Sequence, residues 1–155
     1  MGEKKNSEKY WNNAIELNRT MGNLEQEGLI LLSYGVFYQE NNNFEKASEC
    51  WIRSEKIFST LGNQDKASLS LSNLGEVYLQ TCDYQNSYDC LNKSFNIFYE
   101  LNNKEEMLSL LYLLGKFYFM IGENEELEKV LNQYEYILLT QETYSEKNTL
   151  HFNYL

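Results

Sequence analysis

The chain has 155 residues, 43% of them hydrophobic and none of them proline, and a formal net charge of −10. The length suits a single domain with a buried core, and the acidic balance argues against nucleic acid and anionic membrane as partners, because both require clustered lysine and arginine. No run approaches the roughly 18 apolar residues of a membrane span and the first residues lack an apolar signal core, so a soluble, cytoplasmic protein is expected.

The absence of proline favours long uninterrupted helices. In chain order, Ser7 to Met21 reads as a first helix, followed by Leu24 to Glu40, Phe44 to Thr60, Gln64 to Gln80, Tyr84 to Glu100, Lys104 to Met120 and Asn124 to Thr140, with a short last helix over Tyr144 to Leu155. Glycine and asparagine mark the breaks at Gly22-Asn23, Gly62-Asn63 and Asn102-Asn103, where a left-handed residue can end one helix and an asparagine can cap the next. Second breaks fall at Asn41 to Asn43, Cys82-Asp83 and Gly122-Glu123. Such short turns between helices predict antiparallel neighbours, about eight helices in all.

The order is periodic. LSYGVFY at Leu32 to Tyr38 returns as SNLGEVY at Ser72 to Tyr78 and as YLLGKFY at Tyr112 to Tyr118, so that Gly35, Gly75 and Gly115 stand 40 residues apart. Self-similarity at such a period is the signature of a repeat solenoid. The chain therefore divides into an orphan second-type helix at 7–21, repeats at 24–60, 64–100 and 104–140, and a partial repeat or capping helix at 144–155. Three interior glycines in register each cost about 0.5 to 1 kcal/mol relative to alanine, which implies close helix packing at each. Small residues at Ala47, Ser87, Ser54 and Ser94, with Trp51, Leu91 and Leu131 between and Ile57, Ile97 and Ile137 beyond, extend one buried face. The third repeat departs from this pattern, with Leu127 and Tyr134 at the small positions.

Leu71, Leu74, Gly75, Tyr78, Ser87 and Leu91, and likewise Leu31, Tyr34, Gly35, Tyr38, Ala47 and Trp51, resemble the W-x2-L-G-x2-Y then A-x3-F pattern of tetratricopeptide (TPR) repeats. The period of 40, against about 34 in the standard motif, is similar to that of kinesin light chain, of the LGN-type adaptors and of Rap-type bacterial peptide-sensing regulators. The resemblance implies an all-α, right-handed helical-hairpin solenoid. It also implies a concave groove lined by the first helix of each repeat, at Leu29, Leu32, Val36 and Gln39, then Leu69, Asn73, Glu76 and Leu79, then Tyr112, Lys116 and Phe119.

Chemistry is sparse. With one histidine, His151, neither an imidazole-based triad nor an HExxH zinc site can be assembled, and no glycine loop cradles phosphate. Cys50 and Cys90 occupy equivalent places on successive helices, too far apart for shared metal ligation, and with Cys82 they make an odd, unframed set suited to a reducing compartment. Glu123, Glu125, Glu126 and Glu128 open a helix, where carboxylates interact favourably with its dipole. The expectation is a scaffold without catalytic residues, cofactor or metal, binding a peptide or helix of a protein partner in the groove. The alternatives are a Rap-type peptide-sensing regulatory domain and a structural repeat segment of a larger protein or assembly, and a groove filled by a neighbouring segment of the array is the alternative to one open to a partner. The exposed faces of the first and last helices add end-to-end self-association as a further expectation.

Overall fold

A computed structural model describes residues 2–152, and their side chains within 8–140. Seven helices and no strand occur among the described residues: α1 (Gly2–Thr20), α2 (Leu24–Glu40), α3 (Phe44–Thr60), α4 (Gln64–Gln80), α5 (Tyr84–Glu100), α6 (Lys104–Ile121) and α7 (Asn124–Phe152). None is long and apolar enough to cross a membrane. Two compact units result, Met1–Ile97 and Phe98–Leu155.

The turns explain the regularity. Gly22, Asn42, Gly62, Cys82, Asn102 and Gly122 all take positive φ. At every break the amide just after this left-handed residue donates back five positions, as from Asn43 to the Tyr38 carbonyl at 2.9 Å and from Asn103 to the Phe98 carbonyl at 2.9 Å. This satisfies carbonyls that the helix leaves open and fixes the reversal. The side chains of Asn23, Asn43, Asn63 and Asn103 then accept from the amides of Gln26, Lys46, Lys66 and Glu106, starting the next helix. Asp83 does the same for Asn86.

One expected break is missing. The helix that starts at Asn124 continues to Phe152, so the expected 144–155 element is not a separate helix and there are seven helices rather than about eight among the described residues. The cause lies in the turn chemistry: the place equivalent to Gly22, Gly62 and Asn102 is Glu142, and Thr143 follows where asparagine caps the other helices. Neither favours the left-handed stop. At the other end α1 starts at Gly2, earlier than the expected Ser7. The side chains of Tyr144, Leu150 and His151, and all of Tyr154 and Leu155, lie outside the described residues.

In the first unit the glycines do what the sequence requires of them. A Cβ on Gly35 would stand 2.3 Å from Trp51 Nε1, and on Gly75 it would stand 2.6 Å from Leu91 Cγ. Trp51, fully buried, lies across Gly35 and donates its indole N–H to the Leu32 carbonyl at 3.0 Å. The buried serines act as hydrogen-bonded spacers where helices touch. Ser54 donates to the Gly28 carbonyl at 3.0 Å, Ser87 to the Gly75 carbonyl at 2.8 Å, and the Ser68 and Ser94 hydroxyls meet at 2.9 Å. Their small volume permits close approach, and the hydroxyl bond offsets the cost of burying a polar group.

Candidate functional site

The third repeat keeps the glycine but not the side chain that covers it. Trp51 and Phe58 on α3, and Leu91 and Phe98 on α5, are at most 1% exposed, whereas their equivalents on α7, Leu131 and Leu138, are 57% and 36% exposed. Val130 and Ile137 are buried instead, at 8% and 5%. Burial has moved by one residue along the helix, which amounts to a rotation of about 100° about its axis. The cause is steric. Ala47, Ser87, Ser54 and Ser94 are fully buried contact residues, and a leucine and a tyrosine replace them at 127 and 134. These side chains do not fit a contact made for a methyl or a hydroxyl, so α7 turns and stands off from α6. A Cβ on Gly115 would accordingly find only ordinary contacts, at 3.7 Å to Leu127 and 3.8 Å to Val130.

The gap is an apolar groove of about 500 Å³ between α6 and α7. Leu111, Tyr112, Gly115, Lys116 and Phe119 form one wall, and Leu127, Val130, Leu131 and Tyr134 the other. Tyr112 and Phe119 are 65% and 72% exposed and flank the groove together on one wall. On α7, Glu128 and Glu135 lie one turn either side of the wall residue Leu131 and are exposed. Lys129 points to Glu126, whose hydrogen bond and charge hold its ammonium above the ordinary lysine value.

Of the residues assigned from the sequence, Tyr112, Lys116 and Phe119 are thus brought together. On α2, Leu29, Leu32 and Gln39 are half-buried and Val36 is exposed, with Leu32 packed against the core. On α4, Leu69, Asn73 and Glu76 are half-buried, and Glu76 accepts from Gln80 Nε2 at 3.4 Å. Leu79 is a core residue, 1% exposed. The α7 wall is not among the residues expected from the sequence, although the bulk of Leu127 and Tyr134 at small-residue positions is its visible signal.

A second polar feature lies outside the repeat pattern. Glu27 is 4% exposed and accepts from Arg19 Nη2 and Arg53 Nη2, both at 3.0 Å, which ties α1, α2 and α3 together. Its equivalents are Ala67 and Met107, so no repeat requires a carboxylate there. In the same unit the buried Tyr34 and Tyr38 hydroxyls meet at 2.5 Å, and the Tyr34 ring stacks on Trp11. Burial, then the bond to Tyr38, pushes the Tyr34 phenol up.

The thiols are poor nucleophiles where they are buried. Desolvation raises Cys50 and Cys90 from 9 to about 11, outweighing Arg53 and Lys93 respectively. Cys82 is exposed in its turn, and all three cysteines are free. Among the described residues no group of three or more histidine, cysteine, aspartate or glutamate side chains gathers as a metal site.

No protein-family model matches the chain, and no curated protein matches it in sequence. Solved structures do match. BtubC (BKLC) from P. vanneervenii is similar at a TM-score of 0.81 and 15% identity over 91% of this chain, which spans 59% of that protein. A variant of the nearly identical TPR-like repeats of a Podosopora anserina protein assigned as a kinesin light chain is similar at a TM-score of 0.53 and 12% identity, over 92% of this chain and 90% of that one. Together with the 40-residue period and the glycine contacts, these likenesses identify the chain by its fold as a TPR-like helical-repeat solenoid.

Proposed function

We propose that the chain is a non-catalytic protein-interaction scaffold whose docking site is the α6–α7 groove, where it holds an apolar peptide or helix of a partner protein. The observation that carries this reading is the exposure of Tyr112, Phe119 and Leu131 around a 500 Å³ apolar groove. Apolar anchors seated there would supply affinity, and Lys116 on the wall would donate to a backbone carbonyl or carboxylate of the partner. Leaving Leu131 out of the core forgoes about 1 to 2 kcal/mol of burial, which an occupant would recover. The α2 and α4 residues Leu29, Leu32, Val36, Gln39, Leu69, Asn73 and Glu76 are a secondary contact face on this reading. Three free thiols suit work in the reducing cytoplasm.

The test is selection of peptides from a randomised display library on the immobilised protein, followed by titration against Leu131→Arg. The reading expects selected peptides to share apolar anchors and to lose at least about tenfold in affinity on the variant, as truncating or blocking a central anchor does. Peptides that bind both proteins equally would remove the groove from the account.

A further inference from the structure

The groove has a shape and a charge that specify more than an apolar occupant. Building on the docking reading above, we infer that its partner is an amphipathic helix carrying lysine or arginine beside its apolar stripe, with the basic edge lying against α7.

The first unit contains the precedent for the helix. There α4 packs on the α2–α3 pair through Leu74 and Val77, which join Leu31, Tyr34, Ala47, Cys50 and Trp51 in one cluster. The equivalents of Leu31, Ala47, Cys50 and Trp51 in the third repeat are Leu111, Leu127, Val130 and Leu131, and all four line the groove. A surface that takes a helix in one repeat is therefore repeated in another, widened by the rotation of α7. Tyr112 and Phe119 are two turns apart on α6, and Leu127, Leu131 and Tyr134 follow the i, i+4, i+7 spacing on α7. Two such ridges fit the i, i+3, i+4 side chains of a third helix, which enters as apolar anchors in a groove.

Charge selects the flank. The α7 segment holds Glu125, Glu126, Glu128, Glu135, Glu142 and Glu146 against Lys129 and Lys147. Glu126 is taken by Lys129, whereas Glu128 and Glu135, beside Leu131, enter no ion pair among the described residues. A helix seated on Leu131 thus brings its flanking residues to two open carboxylates. An acidic flank would meet repulsion there, and a basic one would be steered in and held in register. Across the groove Lys116 is the lone cation among the described wall residues, so the edge facing α6 carries a neutral or acidic residue.

The experiment uses fluorescent synthetic peptides sharing one leucine-rich helical stripe, with flanks of lysine, of glutamate, or of lysine with a central proline. Each is titrated by anisotropy against the wild-type protein, Leu131→Arg and Glu128→Lys/Glu135→Lys at physiological ionic strength. Circular dichroism establishes that the variants, altered only at exposed positions, remain folded. The expected result is a lysine-flanked peptide binding about tenfold tighter than the glutamate-flanked one, a preference lost or reversed in the double glutamate variant, as two rim charge pairs would produce. Binding is also expected to weaken on Leu131→Arg and with the proline peptide. Equal binding of the lysine and glutamate peptides, both sensitive to Leu131→Arg, would overturn the basic flank and leave the docking groove standing. No binding by any peptide would remove the groove itself. Lysine-peptide binding indifferent to Leu131→Arg would be diffuse attraction to the acidic chain and would also overturn the inference. So would self-association in sedimentation that Leu131→Arg abolishes, because the groove would then belong to a second copy.

Discussion

Gly35, Gly75 and Gly115 hold the same place in the repeat, yet alanine there should act with opposite signs. At Gly35 the new methyl would fall 2.3 Å from the rigid Trp51 indole, and at Gly75 2.6 Å from the Leu91 branch point, so each change forces a shift in a packed contact. A cost of about 1 to 3 kcal/mol or more is expected at both. At Gly115 the nearest atoms are 3.7 Å away, and the gain in helix propensity remains. Gly115→Ala should stabilise by about 0.5 to 1 kcal/mol. Urea unfolding of the three variants reads both signs, and destabilisation at Gly115 would mean that α7 closes on α6 after all. The thiols give a second residue-level expectation. Because burial raises Cys50 and Cys90 from 9 to about 11, the stability tied to their neutral forms is intact below pH 9 and lost as pH rises through about 11. Unfolding free energy should fall across that window, less steeply in Cys50→Ala/Cys90→Ala, and in native protein iodoacetamide should modify the exposed Cys82 first.

Among the elements, α7 decides how much apolar surface the third repeat leaves exposed. Its rotation follows from two side chains, so Leu127→Ala/Tyr134→Ser should restore the contact made by α3 and α5, seat residue 131 over Gly115 and close the groove. With Leu131→Cys as reporter in a Cys82→Ser background, alkylation should slow at least several-fold in the double variant relative to native α7, following the burial of the thiol. An unchanged rate would dissociate the rotation from Leu127 and Tyr134. Helices α2 to α5 are legible to the residue, because each break carries its own left-handed glycine, asparagine or cysteine and a side-chain cap. The run from Asn124 onward is misread for the same reason in reverse: periodicity continues through Thr140, but Glu142 supplies no stop. The groove is half legible. Tyr112, Lys116 and Phe119 follow from the helix face, whereas the rotation of α7 depends on volumes meeting across an interface, which period alone does not encode.

At the level of the whole molecule, two unlike repeats stand on one plan. In the second repeat the small residues are present, the glycine is covered by Leu91 and serine hydroxyls bond across the helices. In the third the glycine is uncovered and large apolar side chains face outward. Keeping the period while changing the contact residues leaves apolar packing surface uncovered without changing the fold, since helix length and turn geometry are set elsewhere in the repeat, and on the proposed function that surface is the docking site. The most direct measurement is methyl NMR on leucine- and valine-labelled protein titrated with a library-selected peptide. Chemical-shift changes are expected at Leu111, Leu127, Val130 and Leu131, with smaller ones at the secondary face of Leu29, Leu32 and Leu69. Shifts confined to Leu29, Leu32 and Leu69, with the four groove methyls silent, would contradict docking in the α6–α7 groove.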